Sequence, residues 1–247
     1  MSKPKIGLAC FFLFCGFLVV AHAAPPAKGN SCVQCHSKLP LSSFYGVKSH
    51  SWVGSVHEQH GVTCNECHGG NPKAETKELA HTGMLPSANP HSPVYFKNIP
   101  ATCGKCHGAE FYNFSRSLHY KILESTGKGP TCVTCHGSMV TRVLTPGQLV
   151  DVCASCHNQR MAIAPYVPQK AKAVLLLLRE SRALLAADRQ LYASPKCAGA
   201  AQTLNQAEVS LQAAKLNWHK FDLNAITNHL EKFHDVLKNL PPASSCR

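Results

Sequence analysis

Ser55-Val56-His57-Glu58-Gln59-His60-Gly61-Val62-Thr63-Cys64-Asn65-Glu66-Cys67-His68-Gly69 sets two thiols with two residues between them and a histidine directly after the second. The same pentapeptide spacing recurs as Cys32-Val33-Gln34-Cys35-His36, Cys103-Gly104-Lys105-Cys106-His107, Cys132-Val133-Thr134-Cys135-His136 and Cys153-Ala154-Ser155-Cys156-His157. At this content of Cys and His, chance gives roughly 0.05 such pentapeptides in a chain of this length, so five are not coincidence. Zinc sites and disulfide scaffolds also pair cysteines, but neither explains a histidine after every second one. Covalent haem attachment does: two thiols add across the two vinyl groups of one porphyrin, and the adjacent histidine gives the iron a nitrogen ligand from the same turn. Five haem c groups are therefore expected.

Successive motifs start 32, 39, 29 and 21 residues apart, so the repeat is not strict. A local similarity is nevertheless present. Ser55-Val56-His57 precedes the second motif much as Ser117-Leu118-His119 precedes the fourth, and both motifs run on into a glycine. This pattern reads as a duplicated unit in which a histidine ahead of one motif ligates the iron of another haem.

A low-spin haem needs a sixth ligand, and nine histidines lie outside the motifs after the leader: His50, His57, His60, His81, His91, His119, His219, His229 and His234. The supply exceeds the demand, so at least four of them are ordinary surface or hydrogen-bonding residues. His57 and His119 rank first, from the duplicated unit. His81 in Leu79-Ala80-His81-Thr82-Gly83 and His219 in Asn217-Trp218-His219 follow. Met139 is a further candidate that would raise the potential of one haem, the alternative being a buried packing residue.

The start of the chain reads as an export signal over 1–23. Lys3 and Lys5 precede an apolar run from Ile6 to Val20, and Ala21-His22-Ala23 is a small-x-small cleavage pattern that would leave Ala24 first. The alternative is an uncleaved anchor, for which the run is short of the roughly 20 residues a spanning helix needs. Cys10 and Cys15 lack the flanking residues of a lipidation site and read as part of the apolar run. The expected location is periplasmic or extracellular.

Removing Lys3 and Lys5 from the 25 Lys and Arg leaves 23 against 13 Asp and Glu. Such a balance alone suggests an acidic partner, but five haems would bring two propionates each and offset it. With no interleaved aromatic and basic patch, nucleic acid is not an expected partner.

Composition divides the chain near residue 160. Residues 24–160 are rich in Cys, His, Gly and Pro and lack long periodic segments, which predicts loops and short helices with porphyrins in place of an apolar core. From about Pro165 the pattern is helical: Val174, Leu177, Leu178, Leu184, Leu185 and Leu191 recur at helical spacing, until Ser194 to Gly199 breaks it. Leu204, Ala207, Leu211, Ala214 and Trp218 predict a second helix, and Leu223, Ile226, Leu230, Phe233, Leu237 and Leu240 a third. The step of five from Trp218 to Leu223, with Asp222 as N-cap, separates them; one kinked helix is the alternative. The fold class is thus mainly α with extensive irregular loops: a haem-cored domain, then a helical hairpin or three-helix bundle over 161–247. A reversal of such helices brings Cys246 back toward Cys197, so a Cys197–Cys246 disulfide is expected, with two separate thiols as the alternative.

The succession CNECHGGNP (64–72), KELAHTG (77–83), IPATCGKCHG (99–108), FSRSLHYKIL (114–123) and GPTCVTCHGSM (129–139) resembles the multihaem cytochrome superfamily that includes the tetrahaem partner of hydroxylamine oxidoreductase, the pentahaem nitrite reductases and octahaem relatives. The resemblance covers about residues 30–160 and, more loosely, the helical tail. It implies haems packed in stacked or perpendicular pairs that pass electrons between exported redox partners, with His57, His81 and His119 as distal ligands. Relatives often have a histidine where this chain has Met139. The pentahaem nitrite reductases replace one motif histidine by lysine, whereas all five motifs here keep it.

The leading functional expectation is an electron carrier between a donor and an acceptor redox protein, with six-coordinate iron throughout. The runner-up is a reductase, or reductase subunit, for a small nitrogen or sulfur oxyanion at one open haem, drawing on Arg116, Tyr120, Lys121 or Arg142. A third reading is a subunit of a filament or of a membrane quinone-linked complex, docked through the tail. The run Leu175 to Leu178 exceeds what one helix face needs and hints at packing on two sides.

Overall fold

A computed structural model describes residues 29–194 and 197–246; the expected leader over 1–23 lies outside them. The elements are helical, and no strand occurs among the described residues. The first part holds ten short helices: α1 (Ser31–His36), α2 (Phe44–Trp52), α3 (Val56–Gln59), α4 (Cys64–His68), α5 (Lys77–Ala80), α6 (Ile99–Gly104), α7 (Gly108–Ser115), α8 (Leu118–Thr126), α9 (Cys132–His136) and α10 (Pro146–Ala154). Three longer ones follow: α11 (Val167–Leu191), α12 (Ala198–Trp218) and α13 (Leu223–Leu237). The tail is accordingly a three-helix arrangement, and the break after Trp218 separates two helices. Asp222 caps α13 by accepting a hydrogen bond from the Ala225 N–H.

Apolar burial is concentrated in the tail. Val174, Leu178 and Leu185 of α11 pack with Leu204, Ala207, Leu211 and Ala214 of α12 and with Ile226, Leu230 and Phe233 of α13. Leu184 and Leu191, expected on the same stripe of α11, are 40% and 57% exposed. At 100° per residue they stand about a third of a turn away from the line through Val174, Leu178 and Leu185. Ser181 occupies that line instead; it is fully buried, and its hydroxyl pairs with His234 Nε2 at 3.2 Å.

Before residue 160 the buried apolar side chains are few: Ala74, Phe114, Leu123 and Leu149. Large apolar groups face outward instead, among them Phe44 at 69%, Leu118 at 70% and Val143 at 80% exposure. Side chains alone do not core this part, in keeping with a fold built around bulky prosthetic groups. Short helices are held at their ends by side-chain caps. Asn30, Ser43, Ser55, Thr76, Ser117 and Thr145 each accept a backbone N–H of the first turn.

Candidate haem-attachment and iron-ligand sites

Each attachment motif lies on or at the end of a short helix. The first, second and fourth are α1, α4 and α9 themselves, while the third and fifth begin in the last turns of α6 and α10. One helical turn puts the two thiols on the same side and carries the histidine onward from them.

The motifs adjoin one another in chain order. Asn30 Nδ2, at the N-cap of α1, donates to Thr63 Oγ1 and Asn65 Oδ1 at 2.9 Å each, which joins the first motif to the second. Ser31 N–H adds a 2.8 Å bond to Pro72 O. Burial, followed by the thiols of Cys103 and Cys106, pushes the Cys67 thiol up, which sets the second motif beside the third. The helix that carries Cys103, α6, packs against α9, which carries Cys132, so the third motif meets the fourth. Burial, then Cys153 and Cys156, pushes Cys135 up to about 11, linking the fourth motif to the fifth. Five attachment points thus form one unbranched row.

Four of the motif histidines face a second histidine ring. The centroid separations are 6.0 Å for His36 and His81, 6.1 Å for His57 and His107, 6.0 Å for His119 and His157, and 6.2 Å for His136 and His219. A metal held between two imidazoles requires about 6 Å, because each metal–nitrogen bond is about 2 Å and each ring centre lies about 1 Å behind its nitrogen. The residues therefore fit iron with two histidine ligands at four positions. Among the described residues no three His, Cys, Asp or Glu side chains converge as a closed metal site. The histidines come in facing pairs rather than in zinc-like clusters.

Hydrogen bonds fix the tautomer at three of these rings. Nδ1 of His81 lies 2.7 Å from Lys77 O, Nδ1 of His136 2.9 Å from Arg142 O, and Nδ1 of His157 3.0 Å from Ile163 O. A carbonyl only accepts, so each Nδ1 carries the proton and each Nε2 is left with a free lone pair for a metal. His119 differs, since its buried Nδ1 has no hydrogen-bond partner. Burial, then the facing partner ring, lowers the pKa of His36, His57, His119 and His219, which favours the neutral ring a metal requires.

Local capping explains how His57 and His119 reach their places. Ser55 and Ser117, 3% and 2% exposed, cap α3 and α8, and each histidine stands two residues further on in the first turn. His81 caps the C-terminus of α5 and so stands at a helix end. His219 caps the C-terminus of α12 and is brought by the tail to the fourth motif. Sequence reasoning missed Phe221. Its ring sits 4.5 Å from that of His119 and 6.2 Å from that of Phe114, on a backbone at φ 58°. Its only prior signal was its place in the five-residue step between the two helical stripes.

Other candidates are placed elsewhere. His50, His60 and His91 are exposed, His234 pairs with Ser181, and His229 lies on α13 of the bundle. Arg116 lines an open cleft of about 370 Å³ with Tyr166, Lys170, Lys220 and Phe221. Tyr120 packs edge-on against Phe111 and Phe114, and Arg142 serves through its carbonyl. Cys197 is buried in the bundle core, whereas the Cys246 side chain falls outside what is described. Among the described residues no helix is long and apolar enough to cross a membrane.

Fold and site together define a multihaem c-type cytochrome. The chain is 27% identical over 142 residues to the multiheme cytochrome MtrA of Shewanella baltica (strain OS185), a match that covers 56% of this chain and 40% of that relative. The matched region is thus well under half of the relative's length. No family model and no solved structure matches the chain.

Proposed function

We propose that the chain is an exported pentahaem c-type cytochrome that carries electrons between a donor and an acceptor redox protein, with a membrane quinone-linked complex as one source or sink. The observation that carries this reading is the row of five attachment motifs with histidine rings facing across about 6 Å at four of them. When bound, haem supplies reversible one-electron chemistry at iron. The protein's own work is attachment, orientation and neutrality. Cys32, Cys35, Cys64, Cys67, Cys103, Cys106, Cys132, Cys135, Cys153 and Cys156 form the thioethers. His36, His68, His107, His136 and His157 would each give an iron one nitrogen ligand, and His81, His57, His219 and His119 would give a second at four of the haems.

The same proposal places the chain in the superfamily it resembles, with a haem domain over 24–160, a helical region over 161–247, cleavage before Ala24 and a Cys197–Cys246 disulfide. The bond from Tyr192 Oη to Pro241 O at 2.7 Å supports the disulfide, because it holds the final segment beside the end of α11. The keeping of histidine at all five motifs supports a carrier over a nitrite reductase. Mass spectrometry of the exported protein tests the reading: five haem additions on a chain that starts at Ala24 are expected. Fewer haems, or cysteines without thioethers in any of the five motif peptides, would overturn it.

A further inference from the structure

The second motif differs from the other four. Its histidine, His68, is half-buried on α4, yet among the described residues no histidine ring stands opposite it at the separation the other pairs share. His36, of the adjoining first motif, already faces His81. The surplus histidines do not fill the place. His57, His81, His119 and His219 are each opposite another motif. His229 and His234 belong to the tail bundle, and His60 and His91 are exposed. His50 is the nearest rival, since α2 leans on both neighbouring motifs: Ser49 Oγ donates to His36 O at 2.9 Å and Trp52 Nε1 to Val62 O at 3.2 Å. In that register His50 is exposed.

We infer that the haem attached at Cys64 and Cys67 has one histidine ligand, His68, and binds a small exogenous lone-pair donor on its other face. The inference rests on the attachment chemistry proposed above and departs from it on one point, since a simple carrier has six-coordinate iron throughout. The second motif stands between two others. Asn30, at the cap of the first motif, donates to Thr63 and Asn65 on one side, and His57, just ahead of α4, faces His107 of the third motif on the other, so neighbouring motifs close in from both sides. A site there is internal to the row and adjoins an attachment point on either hand, which suits a ligand that receives electrons or interrupts their passage. The class expected at a haem with one imidazole ligand is a neutral diatomic such as carbon monoxide or nitric oxide.

The test uses the full exported holoprotein and carbon monoxide as probe. Electron paramagnetic resonance of the oxidised protein is expected to show one high-spin ferric iron in five. The reduced protein is expected to take up one equivalent of carbon monoxide, both features persisting in His50→Ala and Met139→Leu. A Cys64→Ala, Cys67→Ala variant is expected to lose one haem and all carbon monoxide uptake. Low-spin signals from every haem together with no uptake overturn the inference, and so does a high-spin iron that first appears in His50→Ala. A thioether-to-iron charge-transfer band lost in Met139→Leu also overturns it, by assigning that ligand to the chain. If the doubly substituted chain does not accumulate, the wild-type uptake and the two other variants still decide. Failure of the carrier reading looks different: the peptide around Cys64 and Cys67 would carry no haem.

Discussion

Two histidines of the tail separate the proposed ligand chemistry from ordinary structure, and paired substitutions test that separation. His219 stands at the end of α12 with its ring 6.2 Å from that of His136, and neither residue takes part in another of the facing pairs. In His219→Ala the iron of the fourth haem should lose one ligand while three other pairs keep theirs. The oxidised protein should then gain one further high-spin iron, about a fifth of the ferric centres of a pentahaem chain. Bundle stability should change little, because His219 lies outside the cluster formed by Leu211, Ile226, Leu230 and Phe233. His234→Ala should do the reverse. Its Nε2 is 3.2 Å from the hydroxyl of fully buried Ser181, and stranding that hydroxyl costs about 1–3 kcal/mol. For a chain of this size that lowers the melting temperature by about 2–10 °C, with the haem spectrum unchanged. Spin quantitation by electron paramagnetic resonance and melting followed by far-ultraviolet circular dichroism read the two effects separately. A high-spin iron produced by His234→Ala, or a His219→Ala spectrum identical to the parent, would refute the assignment of tail histidines made here.

Three further substitutions probe the supports of the fifth site and the tail. A Cβ at Gly129 would meet Leu123 N at 2.4 Å and His119 O at 2.5 Å, both backbone atoms of α8, so Gly129→Ala should cost about 1–3 kcal/mol in denaturant titrations and displace His119 enough to alter one low-spin signal. Phe221→Ala removes ring contacts with His119 and Phe114, each worth about 0.5–1.5 kcal/mol, and should broaden the same signal while that iron stays six-coordinate. Cys197→Ser should lower stability by about 2–4 kcal/mol if the proposed disulfide closes the tail, and expose one reactive thiol at Cys246 that the parent lacks. An unchanged melt and thiol count would remove the disulfide from the proposal.

The proposed attachment chemistry is local: five contiguous pentapeptides supply two thiols and a histidine to each proposed site without any knowledge of the fold. The four histidines ranked first as distal candidates are the four that face a motif histidine, though by different routes. His57 and His119 could be found because a serine two residues earlier caps a helix in each case, and the duplicated pattern preserves that local arrangement. Which motif each one faces was not legible, since the pairings join residues 45, 50, 38 and 83 positions apart and depend on how short helices stack. Apolar periodicity located the tail helices but overcounted the buried stripe of α11, because leucine is read the same whether it faces the core or the side of a helix. It also passed over Ser181, a polar residue on the core line that is tolerated there through His234.

The turn between α12 and α13 ties the tail to the motif-bearing part of the chain. Asp222 starts α13 only five residues after Asn217, and within that span the chain must present His219 toward the fourth motif and Phe221 toward His119, the partner of the fifth. No regular helix does both, since residues two apart point to widely separated faces. The positive φ of Phe221 resolves the conflict at a cost of about 1–3 kcal/mol, sustained only where surrounding structure determines it. That structure lies on both sides: Phe114 of α7 receives the ring, and Ile226, Leu230 and Phe233 anchor the following helix, all three with no exposed surface. The best-packed part of the molecule therefore bears on the two last positions of the row, whereas the first two rely on polar ties such as Asn30 to Thr63 and Asn65. The second motif, where a single histidine ligand is proposed, therefore lies in the part of the row that polar ties hold and the apolar bundle does not reach.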